Sequence, residues 1–210
     1  LAVAVWPAWA FIPQGKDDKA DDTPESSTSL ASLVSIPSVL PVLLGVLLVG
    51  MGFAFIDATM EVELVHFDGH SSFNHVVHAG IVLATLSLCN AMASPVVGAL
   101  AASNRFGASA LISFAFGLLS LAGGAASASC AASTSYTTHL AALTAACGFW
   151  GIGSAMIVVP AMDFISSSAG SQNLNTVAAL MLTALNAGTI FGSSFGSLCA
   201  ARLGLSVVFG

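Results

Sequence analysis

LLVGMGFAFIDATMEVEL, residues Leu47 to Leu64, begins as a segment that lipid accepts and then places Asp57 among Phe53, Phe55 and Ile56. Glu61 follows one helical turn later on the same face, and Glu63 points elsewhere. The stretch fits a buried helix of a water-soluble core or a membrane span, and composition chooses between them. Hydrophobic residues make up 56% of the 210 residues and charged ones 7%, whereas a soluble domain carries about 25% charged residues to face water. The chain reads as an integral membrane protein whose first partner is the lipid bilayer. Only four Lys and Arg occur, none clustered, so no nucleic-acid partner is expected. The four cysteines, Cys89, Cys130, Cys147 and Cys199, are scattered through apolar sequence without paired spacing and read as small packing residues.

A helix needs roughly 20 apolar residues to cross the hydrocarbon core. On that scale residues 1–13 read as the end of a preceding transmembrane helix, since LAVAVWPAWAFIP has neither the basic start nor the cleavage site of a signal peptide. Residues 14–37, containing QGKDDKADDTPESSTS, read as a polar cytoplasmic linker. Residues 38–210 form a C-terminal helical bundle of five spans with its last helix truncated. The spans run from Ser38 to about Val65, Val76 to Ala102, Ala108 to Cys130, His139 to about Ile165, and Leu174 to Ala201. Both ends look cut, and the chain is expected to be a fragment of a longer protein. With Lys16 and Lys19 inside, Arg105 also falls on the cytoplasmic side and only Arg202 falls outside, in keeping with the positive-inside rule. The loop from His66 to His78 is then extracytoplasmic.

Small residues recur about every four positions, and Gly188, Gly192 and Gly196 form one such row. In lipid, rows of this kind let helix backbones approach closely, for tight packing or for sliding. An internal echo links two span ends. GALAASNRFGAS (Gly98 to Ser109) and GSLCAARLGLS (Gly196 to Ser206) share Gly-x-Leu, small residues, then Arg, an apolar residue and Gly. Three helices separate the copies, as inverted three-helix repeats within a six-helix half would require.

With GFAFIDATMEVEL, ASPVVGALAASNRFG, GIGSAMIVVPAMDFI and NTVAALMLTALNAGTIFGSSFG in this order, the chain resembles the C-terminal half of a major facilitator superfamily transporter. It is most similar to the drug:proton antiporter group that includes the vesicular amine and polyamine transporters. The resemblance covers roughly Val39 to Gly204. It implies an all-α polytopic membrane bundle, a partial six-helix half of a twelve-helix major facilitator fold, whose partner would be the missing N-terminal half of the same protein. The loop carries Asn104 where the family pattern has Asp, and no basic pair follows Gly107, so the family's charged latch is expected to be weaker. Asn186 stands where the amine transporters carry an acid, and their carboxylate on the preceding span has no counterpart near Val158.

An ionisable group within a span costs on the order of 2.5–3.5 kcal/mol by insertion scales, and such groups face a cavity or a partner. Asp57 is therefore the candidate proton- or cation-binding group, and Glu61 a candidate extension of it toward an acidic entrance. The bland reading makes both hydrated helix-end charges, with Glu63 solvated. Asn186 is a candidate substrate contact in mid-span, or a link between helices. Pro160 interrupts helical hydrogen bonding, and with Asp163 it is a candidate cytoplasmic gate. His66, His70, His75 and His78 match no closed metal site, so neither metal nor cofactor is expected, and His139 reads as interfacial.

No P-loop, nucleophile elbow or protease-like pair is present, and the chain is not expected to be an enzyme. The first reading is a secondary active transporter of a small organic solute, proton-coupled by antiport, in the plasma membrane or a vesicle- or vacuole-type organelle. The alternatives are a non-transporting scaffold or sensor that keeps the fold, and a channel or facilitator.

Overall fold

Each of the five apolar stretches becomes one helix. The computed structural model describes residues 36, 39–68, 73–103, 107–132, 135–169 and 174–203. Its helices are α1 (Val39–Asp68), α2 (Phe73–Ala102), α3 (Ala108–Ala132), α4 (Tyr136–Ala169) and α5 (Leu174–Leu203). All five are long and apolar enough to cross a membrane, since the shortest, 25 residues, reaches about 38 Å at the helical rise of 1.5 Å per residue. The chain is thus a multi-pass helical membrane protein. The expected stub of residues 1–13, the linker apart from Ile36, Asn104, Arg105 and the start of a further helix after Leu203 lie outside the described residues.

Two helix ends differ from expectation, and both differences move polar groups inward. The segment HFDGHSSFNH reads as a loop, yet α1 continues to Asp68 and α2 starts at Phe73, so that His66, His75 and His78 lie in helices. Gly69 is the first residue after the apolar run with a strong conformational penalty against helix. Likewise α4 starts at Tyr136, because Ser135 caps it: the Thr138 N–H donates to Ser135 Oγ at 3.3 Å, the N-cap bond that satisfies a first-turn donor. His139 is thereby drawn into the helix, where its side chain is fully buried.

The outside is apolar. Leu88, Met92, Phe114, Leu121, Ile190 and Phe191 are each at least 60% exposed, a surface that water would drive into aggregation and that acyl chains solvate.

Packing inside the bundle is uneven. α1 packs most extensively on α5, α2 on α4 and α3 on α4, with lesser contact of α1 on α4. Glycines make the first two seams. A Cβ on Gly188 would strike the Leu47 carbonyl oxygen, one on Gly192 the Met51 carbonyl oxygen, and one on Gly50 the Leu185 carbonyl oxygen. In the other seam a Cβ on Gly151 would strike the Leu86 carbonyl oxygen. Residue numbers rise together across both seams, so each pair is parallel.

These two pairs share one packing feature. Exchanging α1 with α4 and α2 with α5 turns the α2–α4 pair into the α5–α1 pair. In each, a glycine of the more buried helix, Gly151 or Gly50, meets a partner carbonyl, Leu86 or Leu185. The register that lays Gly98 on Gly196 lays Leu86 on Ala184, one residue from Leu185.

Two apolar clusters fill the bundle. One joins Val42, Val46 and Val49 of α1 to Leu111 of α3, Ile157 of α4 and Val177 of α5. The other, nearer the α1–α2 connection, joins Met60 and Leu64 of α1 to Val82 and Leu86 of α2 and Leu143 of α4.

Candidate functional site

The carboxylates of α1 separate into two environments. Asp57 and Glu61 are exposed on one face, whereas Glu63 is 5% exposed, which corrects its reading as solvated. Glu63 falls three residues after Met60 and next to Leu64, both buried, so it shares the face that α1 turns to the core. Its Oε1 lies 3.4 Å from Nε2 of His139, with the imidazole fully buried. That separation is a charge contact longer than a well-formed hydrogen bond. Its other oxygen, Oε2, is buried with no hydrogen-bond partner among the described residues. His139 belongs to the start of α4, where the helix dipole favours negative charge. The carboxylate itself comes from the C-terminal part of α1, whose own dipole disfavours it.

A second polar contact adjoins the same end of the bundle. His78 Nδ1 and the Tyr136 hydroxyl are 2.7 Å apart, and the His75 ring meets Tyr136 edge-on at 5.7 Å between centroids. His75 is buried, while His78 and Tyr136 are half-buried. Tyr136 and His139 are three residues apart in α4 and share a face. Glu63, His75, His78, Tyr136 and His139 thus gather where α1, α2 and α4 meet. The side chain of His66 and the whole of His70 lie outside the described residues. Among the described residues no three His, Cys, Asp or Glu side chains are placed to hold a metal ion.

Deeper in the bundle, Asn90 of α2 donates from Nδ2 to Ser154 Oγ at 2.9 Å and to the Gly151 carbonyl at 3.2 Å. Ser154 Oγ in turn donates to the Gly151 carbonyl at 2.8 Å. This link fixes the α2–α4 seam. Its sequence signal was an amide within a span, the same signal that singles out Asn186.

The remaining expected site residues lie apart. Asn186 is exposed on α5, one residue past the seam contact of Leu185 with Gly50. Gly188 sits against Leu47 and Met51, so the parallel register puts Asn186 near the level of Leu47, about 15 Å along the axis from Asp57. The two do not meet. Pro160 is buried inside α4, and Asp163, one turn on, is exposed. Gly188, Gly192 and Gly196 all face α1, the last with its Cβ position 3.1 Å from a Phe55 ring carbon.

An apolar cavity of about 480 Å³ opens between α1, α3 and α4. Met51, Phe55, Met60, Phe116, Leu119 and Trp150 line it. The Trp150 Nε1 is buried without a hydrogen-bond partner among the described residues, and its ring fills the space that a Cβ on Gly52 would take. A more open groove of about 670 Å³ runs between α2 and α4 past Thr85, Cys89, Thr137 and Thr144. Neither includes Asp57, Glu61 or Asn186. No protein-family model matches the chain, and no curated protein matches it.

Proposed function

We propose that this chain is one helical half of a secondary active transporter, exchanging a small organic solute for protons across a membrane. The packing feature shared by the two helix pairs carries the reading. Two parallel, glycine-seamed pairs related by exchange of α1 with α4 and α2 with α5 are what inverted three-helix repeats produce, and transporters that alternate access are built from such repeats. Asp57 and Glu61 supply an ionisable face on α1, and a carboxylate that exchanges a proton for a cation is the minimum chemistry of antiport. Asn186 contacts the solute at a different depth from Asp57, so proton and solute occupy separate levels of the pathway. Pro160 and Asp163 serve as a gate toward the other end. The neutral amide at Asn186, where the amine transporters carry an acid, favours a second reading, a non-transporting sensor on the same scaffold.

Accessibility separates the two. In the full-length protein, single cysteines at Leu182, Asn186 and Ile190, all on the exposed face of α5, are tested with a membrane-impermeant thiol reagent from each side. A transporter gives labelling from both sides, shifted in opposite directions by a pH gradient. Labelling from one side only, whatever the gradient, overturns the proposal.

A further inference from the structure

We propose that Glu63 and His139 form a buried proton-binding site, reached from the surface through the His78–Tyr136 hydrogen bond, that ties α1 to α4. The argument begins with the unsatisfied oxygen. An ionised carboxylate offers about four acceptor sites, yet Glu63 has one contact at 3.4 Å and an Oε2 without a partner among the described residues. A buried carboxyl facing an imidazole can share one proton with it, held on either group. With one proton the pair is Glu⁻ and His⁺ and attracts across the α1–α4 boundary. Loss of that proton from Nε2 leaves a buried carboxylate beside a neutral ring, and gain of a second on Oε2 leaves an imidazolium beside a neutral acid. Each change weakens the tie.

Among the described side chains of α1 the other acids, Asp57 and Glu61, are exposed, and the side chains of His66 and Asp68 at its end lie outside the described residues. On α2 the titratable groups at this end are His75 and His78, and on α4 they are Tyr136 and His139. Among the described side chains α3 and α5 carry no titratable group. Half-buried His78 and Tyr136 supply the step to the surface, because imidazole and phenol each accept and donate a proton, and histidine changes charge in the physiological range. Asp57 and the proposed transport cycle are not needed for this site; proton-coupled exchange is only the use it would serve.

The test is a titration of the whole chain in lipid nanodiscs with ¹⁵N-labelled histidine. The His139 ring, assigned through its contacts within α4, changes protonation across the titration. In Glu63→Gln its midpoint falls by about one pH unit or more, a tenfold loss of proton affinity, because the variant removes the negative charge that favours imidazolium. A ring that keeps one protonation state throughout in the unaltered protein overturns the proposal without any variant. Equal midpoints with and without the Glu63 charge overturn it too. Tyr136→Phe slows proton exchange at His139, and an unchanged rate removes the proposed route. None of these readouts involves transport, so a failed titration leaves the transporter reading standing, and one-sided cysteine labelling leaves the site standing.

Discussion

Replacing Gly192 by alanine drives a methyl group into the backbone of α1. The added Cβ would meet the Met51 carbonyl oxygen and lie 2.8 Å from both Met51 C and Cα, whereas carbon atoms in contact prefer roughly 3.5–4.0 Å. Backbone cannot swing aside as a long side chain does, so α5 must retreat by about 1 Å and lose van der Waals contact along the seam. Overpacking of this kind costs about 1–3 kcal/mol. Alanine's better helix propensity returns at most about 1 kcal/mol, leaving a net loss of up to about 2 kcal/mol. Gly188→Ala meets the same helix, with Leu47 C and Met51 N each 2.9 Å from the new Cβ. A single outward shift relieves both clashes, so the double variant costs less than the sum of the two. Gly117 and Gly124 have nothing within 4 Å of their Cβ positions, and their alanine variants are neutral or slightly stabilising. Reversible unfolding in mixed micelles, followed by circular dichroism, measures all five proteins. The seam argument fails if Gly192→Ala unfolds with Gly117→Ala, or if the double variant costs the full sum.

Two further outcomes follow from the polar groups. Asn90→Ala removes the donor that joins Gly151 O and Ser154 Oγ, and the same unfolding assay shows a loss of about 0.6–1.7 kcal/mol, the range of interhelical hydrogen bonds in lipid. Asp57→Asn abolishes solute movement driven by a proton gradient in vesicles holding the full-length protein. It leaves the unfolding midpoint unchanged, because the side chain is exposed; transport at the normal rate and pH dependence removes Asp57 from the mechanism.

The five helices were legible because an apolar run of 20 or more residues has one outcome in lipid, and the Gly188–Gly192–Gly196 row because its spacing follows the helical repeat. The polar core was harder to read. Glu63 looked solvated because it was taken as a helix-end charge, yet it falls on the face of Met60 and Leu64, which α1 turns to the core. His139 was taken as the first residue of its span, yet Ser135 caps the helix three residues earlier, at Tyr136, and the His139 side chain is buried. Both misreadings came from placing a helix end by hydropathy alone, when capping and the next breaker residue set it. Partner choice was not legible, since nothing local in α4 announces that it would touch every other helix.

The seams also determine where the bundle can yield. Carbonyl-to-glycine contacts lock α5 onto α1 and α2 onto α4, while α3 rides on α4. Sliding within either seam brings a side chain against backbone, whereas the boundary between the α1–α5 pair and the α2–α3–α4 group holds fewer contacts. The cheapest rearrangement is therefore a rotation of one group against the other. Glu63 and His139 face each other across that boundary, as do Gly52 and Trp150. A proton gained or lost inside a glycine seam would change little, because close-packed backbone has no second arrangement to favour. Placed at the boundary, the same proton acts on a contact between the two helix groups. This placement, more than the presence of a carboxylate in a span, is what gives the Glu63–His139 pair leverage over the fold.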